Sequence, residues 1–225
     1  MRRRTPASAW GALALGPLAI ALSLVVAIEK APLPGDPAVA RRIQDSSVIE
    51  ALAPAVNALG DWRWAPLLVV AVLVVITAAR RGRPAFHGAV DRIIPFVAVA
   101  VLWPGSALLK EAVRSPRPRG ADGLSIDRFR SDYGFPSGHV YGDVLTYGYI
   151  AIVAASVLPR WAALPVQAAC GAIILLAGTA RVSVGAHWPS DALGGYLWGA
   201  LALALVLLLR DRMTGARLGG QGRAS

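Results

Sequence analysis

Long apolar runs alternate along this chain with short connections rich in charge and turn formers. Hydrophobic residues continue with little interruption over approximately Trp10–Ile28, Trp64–Ala79, Ile93–Leu109, Val140–Leu158, Trp161–Ala180 and Ala192–Leu209. A hydrocarbon core about 30 Å thick is crossed by about 20 helical residues rising about 1.5 Å each, so the runs predict about six membrane-spanning helices. Buried helices of a soluble bundle would carry polar stripes at helical spacing, and "APLLVVAVLVVITAA" and "AIILLAGTA" carry none. The fold class expected is all-α, a polytopic membrane protein with about six transmembrane helices in a single bundle. No internal repeat, low-complexity tract or linker divides the chain. Residues 1–225 are therefore read as one membrane domain, with a motif-bearing core at 93–209 and a mobile tail at 213–225.

Composition strengthens this picture, since 56% of the 225 residues are hydrophobic and only 16% are charged. The first run follows Arg2, Arg3 and Arg4 as a signal peptide would. It is too long for a typical signal core, however, and "AIEKAP" after it lacks the small residues of a cleavage site, so a retained anchor is expected. The single cysteine, Cys170, falls inside an apolar run and reads as a small hydrophobe. No disulfide or metal framework can be built from it.

The net charge of +10 does not mark a nucleic-acid binder, because the arginines are not gathered on one face or tail. They punctuate the ends of apolar runs. "MRRR", "ARRGRP", the turn with Arg160 and the tail "LLRDRMTGARLGGQGR" would share one side of a six-helix chain. Their density in short segments assigns that side to the cytoplasm, although total Lys and Arg counts on the two sides are nearly equal. A cell (inner) membrane protein with both termini inside then receives three outer connections: residues 29–63, residues 110–138 and the link "RVSVGAHWPSD". Trp62, Trp64 and Trp188 fall near the outer interface, Trp10 and Trp161 near the inner one. In the first connection Asp36 can cap a helix, Pro37 fits its first turn and Pro54 would stop it. Such a segment suits a helix lying on the membrane surface, and an exterior hairpin fits equally well.

Three polar clusters gather at the outer ends of the runs. The third run leads into "LLKEAVRSPRPRG", with Lys110, Arg114, Arg117 and Arg119; the fourth begins with "PSGH"; and "TARVSVGAHWPSDALGG" supplies Arg181, His187 and Asp191. This chemistry fits a phosphoryl group. Arginine offers a planar fork and lysine a compact charge, so Lys110, Arg117 and Arg181 could hold a tetrahedral anion from several sides. A helix starting near "PSGH" would aim backbone N–H groups of Ser137, Gly138 and His139 at the same anion, with Gly138 leaving room for close approach. Arg114 and Arg119 read as interfacial anchors. His187 and Asp191 are spaced to meet in a helical turn, the carboxylate accepting from Nδ1 and leaving Nε2 free to attack. Asp191 also suits a helix-capping role after Pro189. His87, in "RRGRPAFHGAV", reads as an ordinary surface histidine.

"KEAVRSPRP", "PSGH" and "ARVSVGAHWPSD" resemble, in order and spacing, the three-part signature of the type 2 phosphatidic acid phosphatase superfamily, which includes vanadium-dependent haloperoxidases. The match covers residues 110–191 directly. It implies that Lys110 and Arg117 with Pro118 form the first motif, Ser137, Gly138 and His139 the second, and Arg181, His187 and Asp191 the third. By the same resemblance His187 attacks phosphorus, His139 protonates the leaving oxygen and later activates water, and a phosphohistidine intervenes. The cationic cage makes a metal or other cofactor unnecessary. This chain departs from the family pattern in having Ala180 where a serine usually precedes the third-motif arginine, which removes a possible helper hydrogen bond. Asp143, one helical turn below His139, has two equal readings: it favours the protonated form of His139, or it bonds Tyr141, Tyr147 or a neighbouring helix.

A site at the membrane surface with apolar helices beside it favours a lipid phosphate substrate with its phosphate at head-group level and its tail in the membrane, and the arginine-dense short segments with six crossings place the site on the extracytoplasmic side. Polyprenyl diphosphate, phosphatidic acid and phosphatidylglycerol phosphate all qualify. A head-group or phosphoryl transferase would share the first half-reaction. A transporter would need a polar route through the bilayer, whereas the charges cluster at one end of the runs. Nothing in the sequence sets an oligomeric state or implies a nucleic-acid partner.

Overall fold

The computed structural model describes residues 7–30, 32–61, 104–120, 123–126 and 132–221. Among these there are seven helices and no strand: α1 (Ala7–Glu29), α2 (Asp36–Gln44), α3 (Ser47–Leu59), α4 (Gly105–Val113), α5 (Gly138–Val157), α6 (Arg160–Ser183) and α7 (Pro189–Gln221). The run Trp64–Ala79, most of Ile93–Leu109, Trp62 and the loop 80–92 with His87 lie outside the described residues. Helix α6 and the Pro189–Arg210 stretch of α7 are each long and apolar enough to cross a membrane. The last helix does not end at Leu209 but continues to Gln221.

Helix α5 is the axis of the described bundle. Tyr141, Asp143, Val144, Leu145, Thr146, Tyr147, Tyr149, Ile150 and Val153 are all buried, so nearly every face of the helix meets protein. Helix α7 lies against it at close range because Gly195 and Gly199 carry no Cβ. A Cβ at either would come within 2.8 Å of the Ser137 or Tyr141 carbonyl oxygen on α5. Small residues four apart let helix backbones approach in this way. By contrast, α6 turns Trp161, Leu164 and Leu175 outward, Trp161 being 80% exposed. Outward apolar side chains on so long a helix are what a lipid solvent permits and water does not.

Tyr196 of α7 ties α6 to the bundle by entering its backbone ladder. Its hydroxyl accepts from the Gly178 N–H at 2.9 Å and can donate to the Ile174 carbonyl at 2.9 Å or that of Leu175 at 3.0 Å. A second polar link joins α1 to α7, where Trp198 Nε1 donates to Ser23 Oγ at 3.0 Å.

The outer segment 32–61 corrects two expectations. Pro54 does not stop a helix: the break falls at Asp45–Ser46, and Pro54 sits inside α3. A proline forfeits one backbone bond there, while Ala53 and Val56 pack on Ala180 and Leu176 of α6 and hold the helix in place. Asp36 does not cap its own helix either. Gly35 occupies that position with a left-handed φ of 98°, and Asp36 is the first residue of α2. Its carboxylate instead accepts from the Leu33 N–H at 2.9 Å, the Ser190 N–H at 2.9 Å and the Ser190 hydroxyl at 2.6 Å. It thus satisfies an unpaired donor of α7, a helix far away in sequence.

Candidate active site

The first motif is delivered by the end of α4. Lys110 lies in its last turn, and Arg114 terminates the helix in a left-handed conformation with φ of 54°. Lys30, just past α1, donates to the Val113 carbonyl at 2.6 Å and satisfies one of the orphan acceptors of that helix end. The extended chain that follows turns Arg117 inward, where it is 8% exposed. Arg114 stays outside, 62% exposed and bonded within its own turn to Glu111. Arg119 is also exposed.

The second motif opens α5. Phe135–Pro136 is a cis peptide, and Ser137 is the extended N-cap residue. Its backbone N–H donates to the Asp191 carbonyl at 2.9 Å, fastening the second motif to the third. The Gly134 N–H likewise donates to the Ser115 carbonyl at 2.8 Å, fastening the second to the first. The Ser137 hydroxyl is buried and has no hydrogen-bond partner among the described residues. His139 is half-buried at the start of the helix. Gly138 packs closely enough that a Cβ would meet Ser106 Oγ at 3.1 Å.

The third motif spans the end of α6 and the start of α7. Gly185 turns the chain with φ of +64°, and a side chain there would strike the Ser125 carbonyl. His187 and Asp191 are 2% and 0% exposed. His187 Nδ1 lies 3.3 Å from Asp191 Oδ2, which also accepts from the Trp188 N–H at 3.0 Å. Since a carboxylate can only accept, the proton belongs on Nδ1 and the lone pair on Nε2. Arg117 Nη1 sits beside the ring, 3.0 Å from Nε2 and 3.4 Å from Nδ1, and also donates to the Ala186 carbonyl.

Arg181, 6% exposed, is held through Nη1 by Asn57 Oδ1 at 3.1 Å. Lys110, Arg117, Arg181 and His139 all lie near enough for their charges to disfavour a proton on His187. Burial contributes most, and the imidazole is held well below its ordinary pKa and so neutral. Burial also lowers Lys110, partly offset by Asp132.

Four residues at or around the site carried no sequence signal strong enough to single them out for these roles. Asp132 receives Lys110 Nζ at 2.8 Å and the Arg117 fork, Nε to Oδ1 at 3.0 Å and Nη2 to Oδ2 at 2.8 Å. Burial pushes its carboxyl up, but the bonds from Arg117 and Lys110 prevail and hold it well below the usual carboxylate range. Its only mark in the sequence is an acid shortly before "PSGH". Asp36, Asn57 and Gln44 act from α2 and α3; Gln44 bonds the Ser125 backbone at both N–H and carbonyl, and the Ser183 carbonyl. Asp143 faces the end of α3, where Gly60 has no room for a Cβ, and Tyr147 donates to the Leu59 carbonyl at 2.8 Å.

A neutral imidazole beside a buried carboxylate, with two arginines and a lysine around it, is chemically suited to a phosphoryl group. The family model of the PAP2 superfamily matches residues 92–214, and the chain belongs to that superfamily. Among solved structures it is similar to the crystal structure of the first transmembrane PAP2 type phosphatidylglycerolphosphate phosphatase from Bacillus subtilis. That likeness has a TM-score of 0.71 and 21% sequence identity over 90% of this chain and 97% of the other. No curated protein matches the chain.

Proposed function

We propose that this protein is an integral-membrane phosphatase that hydrolyses a lipid phosphate or diphosphate through a phosphohistidine. The observation that carries the reading is the buried pair His187–Asp191 with Arg117 Nη1 3.0 Å from Nε2. A nucleophilic nitrogen and a cationic fork thus address the same small volume. His187 Nε2 attacks phosphorus and the P–O bond to the leaving group breaks in line. His139 gives that oxygen its proton, and water, deprotonated by His139, then releases phosphate and restores His187. Lys110, Arg117, Arg181 and the α5 N-terminus around Ser137 and Gly138 take the developing charge. With three cations in these roles the reaction runs without a divalent metal.

The substrate class is a lipid carrying a terminal phosphate, as in phosphatidylglycerol phosphate, phosphatidic acid or polyprenyl diphosphate. The outward apolar side chains of α6 support a membrane setting, and the six apolar runs with arginine-dense short segments support about six crossings in the cell membrane with the site on the extracytoplasmic side. Phosphate release by the purified protein from a panel of these lipids in detergent, with and without EDTA, tests the activity. Release from none of them, or activity lost with chelator and restored by magnesium, refutes it. Single cysteines at Ser47 and Gly219 in a Cys170→Ala background test orientation. An impermeant thiol reagent on intact cells should label position 47 and not 219; the reverse pattern places the site inside.

A further inference from the structure

Asp132 gathers three charge-assisted bonds from the two cations of the first motif: Lys110 Nζ at 2.8 Å, Arg117 Nη2 at 2.8 Å and Arg117 Nε at 3.0 Å. Two oxygens on an arginine fork, one of them shared with a lysine, are contacts that a phosphate edge would make with the same donors. The other end of Arg117 is engaged as well, since Nη1 holds the Ala186 carbonyl and lies 3.0 Å from His187 Nε2. For attack, phosphorus must come within about 3–3.5 Å of that nitrogen. Nearly equidistant from the two ring nitrogens, Arg117 Nη1 lies over the face of the imidazole and so flanks that position. With the fork closed on Asp132, the edge of the guanidinium that would bind two phosphate oxygens is occupied.

We propose that Asp132 is an internal counter-anion and a specificity-determining residue, exchanged for the substrate phosphate on the fork of Arg117 and on Lys110. The proposal rests on the reading of the site as a phosphoryl-transfer centre. Exposure shows which member leaves. The Asp132 side chain is 53% exposed, against 17% for Lys110 and 6% for Arg117. On leaving, its carboxylate regains water, while the cations remain fixed in the wall. No covalent step is involved; one ion pair replaces another.

The exchange sorts anions by charge. A terminal phosphate monoester carries about −1.5 to −2 near neutral pH and presents three strong acceptor oxygens. A phosphodiester carries a single charge and has two unsubstituted oxygens, no more than the carboxylate it would have to displace. In a bilayer whose head groups are largely phosphodiesters, Asp132 keeps the site closed to the surrounding lipids and opens it to terminal phosphates.

The test uses the full-length protein in detergent. In Asp132→Asn, vanadate and orthophosphate should inhibit at concentrations about tenfold lower than in wild type, the order expected when a charge-assisted competitor is removed. Added phosphatidylglycerol, a phosphodiester, should become an inhibitor where it is nearly inert toward wild type. Asp132→Glu should restore the wild-type pattern. Unchanged or weaker anion inhibition in Asp132→Asn overturns the proposal. A structure of the wild-type vanadate complex decides independently of any variant: Asp132 should have left Arg117, and a retained fork refutes the exchange. If wild type binds no vanadate and releases no phosphate from any lipid, the phosphatase reading falls too; if it does both and only Asp132→Asn fails, the role of Asp132 alone is wrong.

Discussion

Asn57 on α3 grips Arg181 and the end of α6 with both halves of one amide. Oδ1 accepts from Arg181 Nη1 at 3.1 Å, and Nδ2 donates to the Ala180 carbonyl at 3.1 Å. Asn57 thus gives Arg181 a hydrogen-bonding partner from another helix, while position 180, where the family pattern has serine, is alanine. Asn57→Ala should raise KM and the inhibitory vanadate concentration about tenfold, consistent with the loss of a hydrogen bond to a charged group. Ala180→Ser in the Asn57→Ala background should recover part of the loss. A lower melting temperature with unchanged KM and vanadate inhibition would make Asn57 a packing residue only.

His187→Ala should reduce turnover at least about a thousandfold while leaving the protein folded, because it removes the proposed nucleophile. In His139→Ala, rapid quench with labelled substrate should trap a phosphoenzyme when the leaving group is good, since attack survives and water is no longer activated. Substantial phosphate release by His187→Ala would remove that residue as the nucleophile.

The pH dependence follows from the direction of the His187 shift. Burial first, then Arg117, Arg181 and Lys110, hold its protonation well below the ordinary value of about 6.5. Because the folded-state pKa is lowered, the stability it contributes is complete above about pH 6.5 and is lost as pH falls below it, where the unfolded chain binds the extra proton. Asp132 acts in the same sense further down: its contribution is present above about pH 3.9 and is lost as pH falls through the lowered value. The acid limb of kcat/KM that belongs to His187 should therefore lie well below pH 6.5. A limb at or above that value that disappears in no His139 variant would contradict the neutral, buried imidazole.

Tyr196→Phe removes the hydroxyl that stands between the Gly178 N–H and the Ile174 carbonyl. Part of that loss is recoverable, because the two groups are spaced to bond each other in a regular helix. A destabilisation of about 1–2 kcal/mol is expected, within the range for a lost buried hydrogen bond, and is measurable by thermal or denaturant unfolding in detergent. No change in stability would mean that α6 closes its own ladder without cost.

The sequence by itself marked four of the described helices and the residues proposed to carry the chemistry. Apolar runs of membrane length mark α1, α5, α6 and α7 to within a few residues at most ends, because hydrophobic burial and backbone hydrogen bonding are local demands that a helix meets within its own segment. Lys110, Arg117, Ser137, Gly138, His139, Arg181, His187 and Asp191 could be singled out because their residue types suit a phosphate and because the three motifs follow the order and spacing of the superfamily signature. Tertiary structure alone decided what those groups face. Asp132, Asn57 and Asp36 are ordinary polar residues in connections, and their partners lie 15, 124 and 154 positions away. No periodicity encodes such a pairing, which arises only when helix packing brings the outer segment over the ends of α6 and α7. The same holds for Pro54: the local rule says stop, and the packing of α3 on α6 overrules it. Whether a cation is open to substrate or occupied by a carboxylate is likewise a property of distance in space, to which the order of residues along the chain is blind.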